Sequence, residues 1–151
     1  MEEIVSFGIL NLNMDADKLG TEISRALVKE KNAVSAYLAG SFVRGDAGKD
    51  SDVDLVVMVT KKQADDADRI YSLIKDIEFP KDLDLTVVDK TSSPLFLFQV
   101  ISRGKRIYQA SESAAAAFEA AVLHEYYDTA HLRNIYFSYL NEKFPPPNYA
   151  N

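Results

Sequence analysis

Apolar positions along the chain recur with two rhythms that alternate from segment to segment. From Asp15 to about Glu30, Leu19, Ile23 and Leu27 fall four residues apart behind acidic residues suited to a first turn, which predicts a helix. "VSAYLAGS" (34–41) is a short apolar run that reads as a buried strand ending at Gly40. "SFVRG" reads as a turn or a short helix start, 46–51 as a polar loop, and "DVDLVVMV" (52–59) as a second strand. In "QADDADRIYSLIKDI" (63–77), Ile70, Leu73, Ile74 and Ile77 share one side, the pattern of an amphipathic helix. "PKD" then turns into "LDLTVVD" (83–89), a third strand. "SPLFLFQVISRGKRIY" (93–108) opens as a helix at Ser93-Pro94, breaks at Gly104 and closes with a terminal strand. Residues 111–143 predict one long helix or two, which "PPPNYAN" cannot continue. Residues 1–13, apolar but interrupted by Gly8, are ambiguous between strand and helix.

Helices alternating with strands, without repeat or linker, predict one α/β (α+β) domain over 1–143 and a Pro-rich tail over 144–151. A chain of 151 residues can bury about two-thirds of its unfolded surface. The charge of −6 argues against a general nucleic-acid binder, which carries a basic face, so no direct nucleic-acid contact is expected. There is no cysteine, hence no disulfide framework or thiolate chemistry. His124 and His131 are the only soft ligands for zinc; seven residues apart with no third ligand near, they read as packed or solvated side chains. No basic leader followed by a long apolar segment occurs, and no run of 18 apolar residues, so the expectation is a soluble cytoplasmic protein off the membrane.

The chemistry gathers at residues 38–59, "LAGSFVRGDAGKDSDVDLVVMV". An apolar strand wants burial, yet Asp52 and Asp54 stand at its mouth, where ionised carboxylates are costly to desolvate unless something positive meets them. On a strand they project to the same side, about 7 Å apart, suited to sharing a divalent cation. Asp84 opens the next strand and joins them if the strands are neighbours, whereas Asp82 and Asp89 read as ordinary surface charge. Close carboxylates repel, and cations are the usual remedy. A Gly followed by Ser at a strand end lets backbone approach a phosphate while the Ser41 hydroxyl and exposed N–H groups donate to it. Arg44, three residues on, can add a charge-assisted contact.

"GSFVRGDAGKDSDVDLVV", with Gly-Ser, ten residues and Asp-x-Asp, resembles the DNA polymerase β-like nucleotidyltransferases, and is most similar to the minimal nucleotidyltransferases (MNT or MntA type) paired with HEPN-domain toxins. "LDLTVVDKTSSPLFLFQVISRGKRIYQ" resembles their third-Asp strand, Ser-Pro-Leu helix and following hairpin, so the likeness spans roughly 15–140. It implies a nucleotidyltransferase fold, a small mixed sheet flanked by helices with a long C-terminal helix. It also implies nucleotide contacts from Gly40, Ser41, Arg44 and Ser51, and catalytic ligation of two Mg²⁺ ions by Asp52, Asp54 and Asp84. The implied activity is that of an antitoxin transferring AMP from ATP to a tyrosine of its HEPN ribonuclease toxin. Residues 1–13 match no typical start of the family.

Two alternatives stand beside that reading: steric capture of the toxin without catalysis, and modification of a small molecule such as an antibiotic. The third lacks a following acceptor domain in this sequence. Phe118, Tyr126, Tyr127, Tyr136, Phe137, Tyr139 and Phe144 crowd the last helix. One face of them is expected to pack on the sheet, but they occupy more circumference than a single stripe needs, which also suits a partner or a homo- or hetero-oligomer surface. Lys61-Lys62 and Lys105-Arg106 read as solvated charge.

Overall fold

In the computed structural model, residues 16–44 and 52–148 are described; the ambiguous segment 1–13, the loop 46–51 with Ser51, and the side chains of Ser41 and Arg44 lie outside the description. Helix α1 has its described part over 16–27. It is followed by β1 (Ala33–Ala39), the single turn α2 (Ser41–Arg44), β2 (Val53–Val59), α3 (Asp66–Ile74) and β3 (Leu83–Val88). Then come α4 (Pro94–Arg103), β4 (Lys105–Gln109), α5 (Glu112–Asp128) and α6 (Ala130–Lys143). The expected elements are all present, with ends shifted by a few residues. The four strands form one mixed sheet in the order β3-β2-β1-β4. β1 runs antiparallel to β2 and β4, while β2 and β3 are parallel, the pair that needs a crossover helix, here α3.

The apolar rhythm of each strand is explained by helices on both faces. Leu38, Val53, Leu55 and Val57 pack with Leu19, Ile23 and Leu27 of α1 and Ile70 and Ile74 of α3. Tyr37, Val56 and Met58 pack on the opposite face with Leu97 and Val100 of α4 and Phe118 and Val122 of α5. A strand covered on both sides reads as a continuous apolar run, which is why "VDLVVMV" carries a single polar residue, Asp54. Ser93 caps α4, its side chain accepting from the Phe96 N–H, with Pro94 in the first turn as the Ser-Pro signal foretells.

The end of the sheet where β2 and β3 finish is closed by polar side chains that satisfy one another. Buried Asp66 accepts from the Gln63 N–H at 2.5 Å, from Asn32 Nδ2 at 3.3 Å and from Arg69. The Arg69 guanidinium also holds Glu30, its Nε lying 3.0 Å from Glu30 Oε2. Asp89 corrects the expectation of surface charge: it is buried just beyond β3, accepting from the N–H of Lys62 and Thr91, both at 2.8 Å, and from the Thr91 hydroxyl at 2.6 Å. These partners hold both Asp carboxyls below the usual carboxylate range, donors to Asp89 outweighing its burial and those to Asp66 working against burial.

The C-terminal segment resolves as two helices broken at Thr129, whose hydroxyl donates to the Glu125 carbonyl at 2.8 Å. α5 packs on the sheet through Ala115, Phe118 and Val122, but α6 buries no residue at all. The expectation that the aromatic face packs on the sheet therefore holds for Phe118 and fails beyond Thr129, where Leu132, Ile135, Tyr136 and Tyr139 are each more than half exposed.

Candidate active site

The end of the sheet where β1 finishes and β2 begins is built differently. Gly40 leaves β1 with φ +79°, a conformation that L side chains rarely adopt, and a Cβ there would stand 2.2 Å from Asp54 Oδ2. The glycine is thus required twice, by its backbone angle and by the carboxylate lying against it. β2 pairs Asp54 with Ala39 of β1 on one side and with Asp84 of β3 on the other. The two carboxylates predicted from separate segments are therefore direct cross-strand neighbours. Asp52 lies exposed one residue before β2, where the Val53 N–H donates to the Asp82 carbonyl at 2.8 Å and fixes the start of the parallel pair.

Above these residues lies an open cleft of about 310 Å³. Its floor is Ala39 and Gly40 of the β1 end, Asp54 and Val56 of β2, and Asp84 and Thr86 of β3. Its wall is α4, which contributes Phe96, Gln99, Val100 and Arg103, followed by Gly104. Positions 96, 99, 100 and 103 share one helix face, so a single element supplies an aromatic ring, an amide and a guanidinium. None of these side chains was singled out from the sequence. Their three- and four-residue spacing was visible there, but the same spacing describes any packed helix.

Burial first, then the charges of Asp84 and Asp52, push the Asp54 carboxyl above the usual carboxylate range. None of the three makes a hydrogen bond or ion pair with another described residue, in contrast to the satisfied carboxylates at the other end of the sheet. Among the described residues no three His, Asp or Glu side chains are drawn together tightly enough to enclose a metal ion. What Asp52, Asp54 and Asp84 offer is a row of carboxylate oxygens along β2 and across to β3. Oxygen donors of this kind fit a hard cation such as Mg²⁺, and the mutual repulsion at Asp54 is what such a cation relieves.

Other charged residues weighed from the sequence lie elsewhere. Lys105 pairs with Asp17, Arg106 with Glu119 at 2.9 Å, and His124 with Asp128 at 3.0 Å. Lys61, Lys62 and His131 are exposed and do not line the cleft.

The sequence profile described as Polymerase beta, Nucleotidyltransferase matches residues 21–113. None of the curated protein sequences matches. Among solved structures, the chain is similar to a toxin–antitoxin with AMP-PNP at 20% identity and TM-score 0.59, covering 80% of this chain and 98% of that one. It is similar also to the toxin–antitoxin MntA-HepT, at 18% identity and TM-score 0.54 over 81% and 97% of the two chains. A third similar structure is a tri-AMPylated Shewanella oneidensis HEPN toxin in complex with MNT antitoxin, at 17% identity and TM-score 0.54 over 85% and 98%. Likeness at this identity speaks for the fold. No described helix is long and apolar enough to cross a membrane.

Proposed function

The chain belongs to the polymerase beta nucleotidyltransferase family, and from that premise we propose that it is the antitoxin of a HEPN–MNT pair, transferring AMP from ATP to a tyrosine of its partner toxin. The observation that carries this reading is the set of three carboxylates that have no hydrogen-bond or ion-pair partner among the described residues, gathered at one end of the sheet beside Gly40, where a side chain would meet Asp54. The same chain satisfies its buried carboxylates at the opposite end, so the difference points to an external positive partner rather than to loose construction. The solved structures it resembles, which include a toxin–antitoxin with AMP-PNP and an AMPylated HEPN toxin in complex with MNT antitoxin, support a nucleotide substrate and a HEPN acceptor.

In this reading Asp52, Asp54 and Asp84 are the residues that would hold the divalent cations. When bound, the cations supply positive charge that lowers the pKa of the acceptor hydroxyl and neutralises the triphosphate. Asp84, which lines the cleft, would take the proton of the tyrosine hydroxyl. The phenolic oxygen bonds to the α-phosphorus, the bond from that phosphorus to the bridging oxygen breaks, and pyrophosphate leaves. The Gly40-Ser41 backbone, with Arg44 and Ser51, receives the departing phosphates. No step needs a Cys or His nucleophile, consistent with the absence of one from the cleft.

The test is intact-mass spectrometry of the HEPN protein proposed as its partner, after incubation with the chain, ATP and Mg²⁺. Gains in whole AMP increments, absent when Asp52 and Asp54 are both changed to Asn, are the expected result. An unchanged mass with a stable complex would favour steric capture. That second reading draws on the exposed apolar face of α6, which suits a protein partner whether or not chemistry follows.

A further inference from the structure

The geometry points to Arg103 as a further phosphate-binding cation of the cleft, a nucleotide-positioning residue at the end of α4. The inference rests on the nucleotide-transfer reading and adds to it a residue that neither the Gly-Ser nor the Asp-x-Asp signature contains.

A cleft lined by Asp54 and Asp84 repels a triphosphate unless positive charge is built into it or brought with the nucleotide. Arg103 is the one cationic side chain lining the cleft among the described residues. Two other arginines with described side chains in this half of the molecule are committed. Arg106 is paired with Glu119, and Arg133 donates to the Tyr126 carbonyl and the Thr129 hydroxyl, both at 2.5 Å, with its guanidinium 3.9 Å over the Tyr126 ring. Arg103 has no such engagement with a described residue. Solvation and the negative end of α4 alone would account for an arginine at this position. They do not account for its place in the wall of a carboxylate-floored cleft.

The position is also held firmly. Gly104 donates its N–H to the Val100 carbonyl at 2.7 Å, and a Cβ there would stand 2.6 Å from that carbonyl and 3.2 Å from the Leu38 carbonyl. The helix end is therefore pressed against β1 two residues before Gly40, as only a glycine at 104 permits. Arg103 is anchored by backbone contact on the β1 side of the cleft, the side of the Gly40-Ser41 turn. A guanidinium there presents paired N–H donors matched to phosphate oxygens.

Binding separates this role from the transfer reaction. The full-length protein with Mg²⁺ is titrated with AMP-PNP, inorganic tripolyphosphate and adenosine. Arg103→Ala is expected to weaken AMP-PNP and tripolyphosphate by about ten- to a hundredfold, the range of a charge-assisted hydrogen bond, and to leave adenosine unchanged. Arg103→Lys should recover part of the loss, since it keeps the charge and loses the fork. The salt dependence of tripolyphosphate binding should become shallower in Arg103→Ala. Should that variant melt early, Arg103→Gln replaces it, keeping the stem without the charge. Unchanged polyphosphate affinity, or an equal loss for adenosine, would overturn the inference. Wild-type protein that binds AMP-PNP through Arg103 but labels no HEPN protein would sink the proposed transfer and leave Arg103 standing.

Discussion

Gly40 and Asp54 occupy one another's space, and the consequences of changing either can be separated. A methyl at position 40 meets both a left-handed backbone angle and the Asp54 carboxylate. Gly40→Ala should therefore cost about 1–3 kcal/mol in urea denaturation and push Asp54 out of register with Asp84, lowering transfer as well. Asp54→Asn should do the opposite to stability. A carboxyl whose folded pKa is raised costs stability once ionised, a cost present at neutral pH and relieved as pH falls through the folded value. Removing the charge removes the cost, so the variant should melt higher than wild type in metal-free buffer while AMP transfer falls by about a hundredfold or more. A variant that melts lower would mean that Asp54 is a structural residue rather than a strained functional one. By the same logic Mg²⁺ should raise the melting temperature of wild type and not of Asp54→Asn, which thermal scans with and without chelator would show.

At the scale of elements, α4 and α6 differ in what surrounds them. α4 sends Leu97 and Val100 into the core and keeps Phe96, Gln99 and Arg103 on the cleft, so its amphipathic pattern serves packing and site together. α6 has the apolar positions of a packed helix, yet none of its residues is buried. Leu132, Ile135, Tyr136, Phe137, Tyr139 and Phe144 are each about half exposed or more, leaving on the order of 600 Å² of apolar surface, at the upper end of what monomers tolerate. Ile135→Glu combined with Tyr139→Glu should leave the melting temperature nearly unchanged and AMP-PNP binding intact, since neither side chain touches the sheet or the cleft. The same variant should fail to co-purify with the HEPN partner. Retained co-purification would move the interface away from α6.

Across the whole molecule the two ends of the sheet have opposite electrostatics, and pH tells them apart. Asp66 and Asp89 have folded pKa values below their ordinary value of 3.8, so they contribute stability that is present above about pH 4 and lost as pH falls through the folded values. Urea titrations from pH 6 to 3 should show stability dropping steeply below pH 4, and less steeply in Asp89→Asn. Much of this architecture was legible in the chain. Strand and helix periods are local, and "GS" with "DVD" marked candidate phosphate and cation donors without reference to anything distant. Asp84 was legible only as a candidate, since nothing in "LDLTVVD" says which strand lies beside it. Asp89 was misread because one acidic residue looks like another until its donors, from Lys62 and Thr91, are folded around it. The elements, the family signature and the residue types able to hold a cation could be read from the chain alone, because period and motif spacing are properties of neighbouring positions. That Asp84 pairs with Asp54, that Arg103 lines the cleft while Arg106 pairs with Glu119, and that α6 buries no residue came from folding, because these depend on register and helix placement set by contacts between segments remote along the chain.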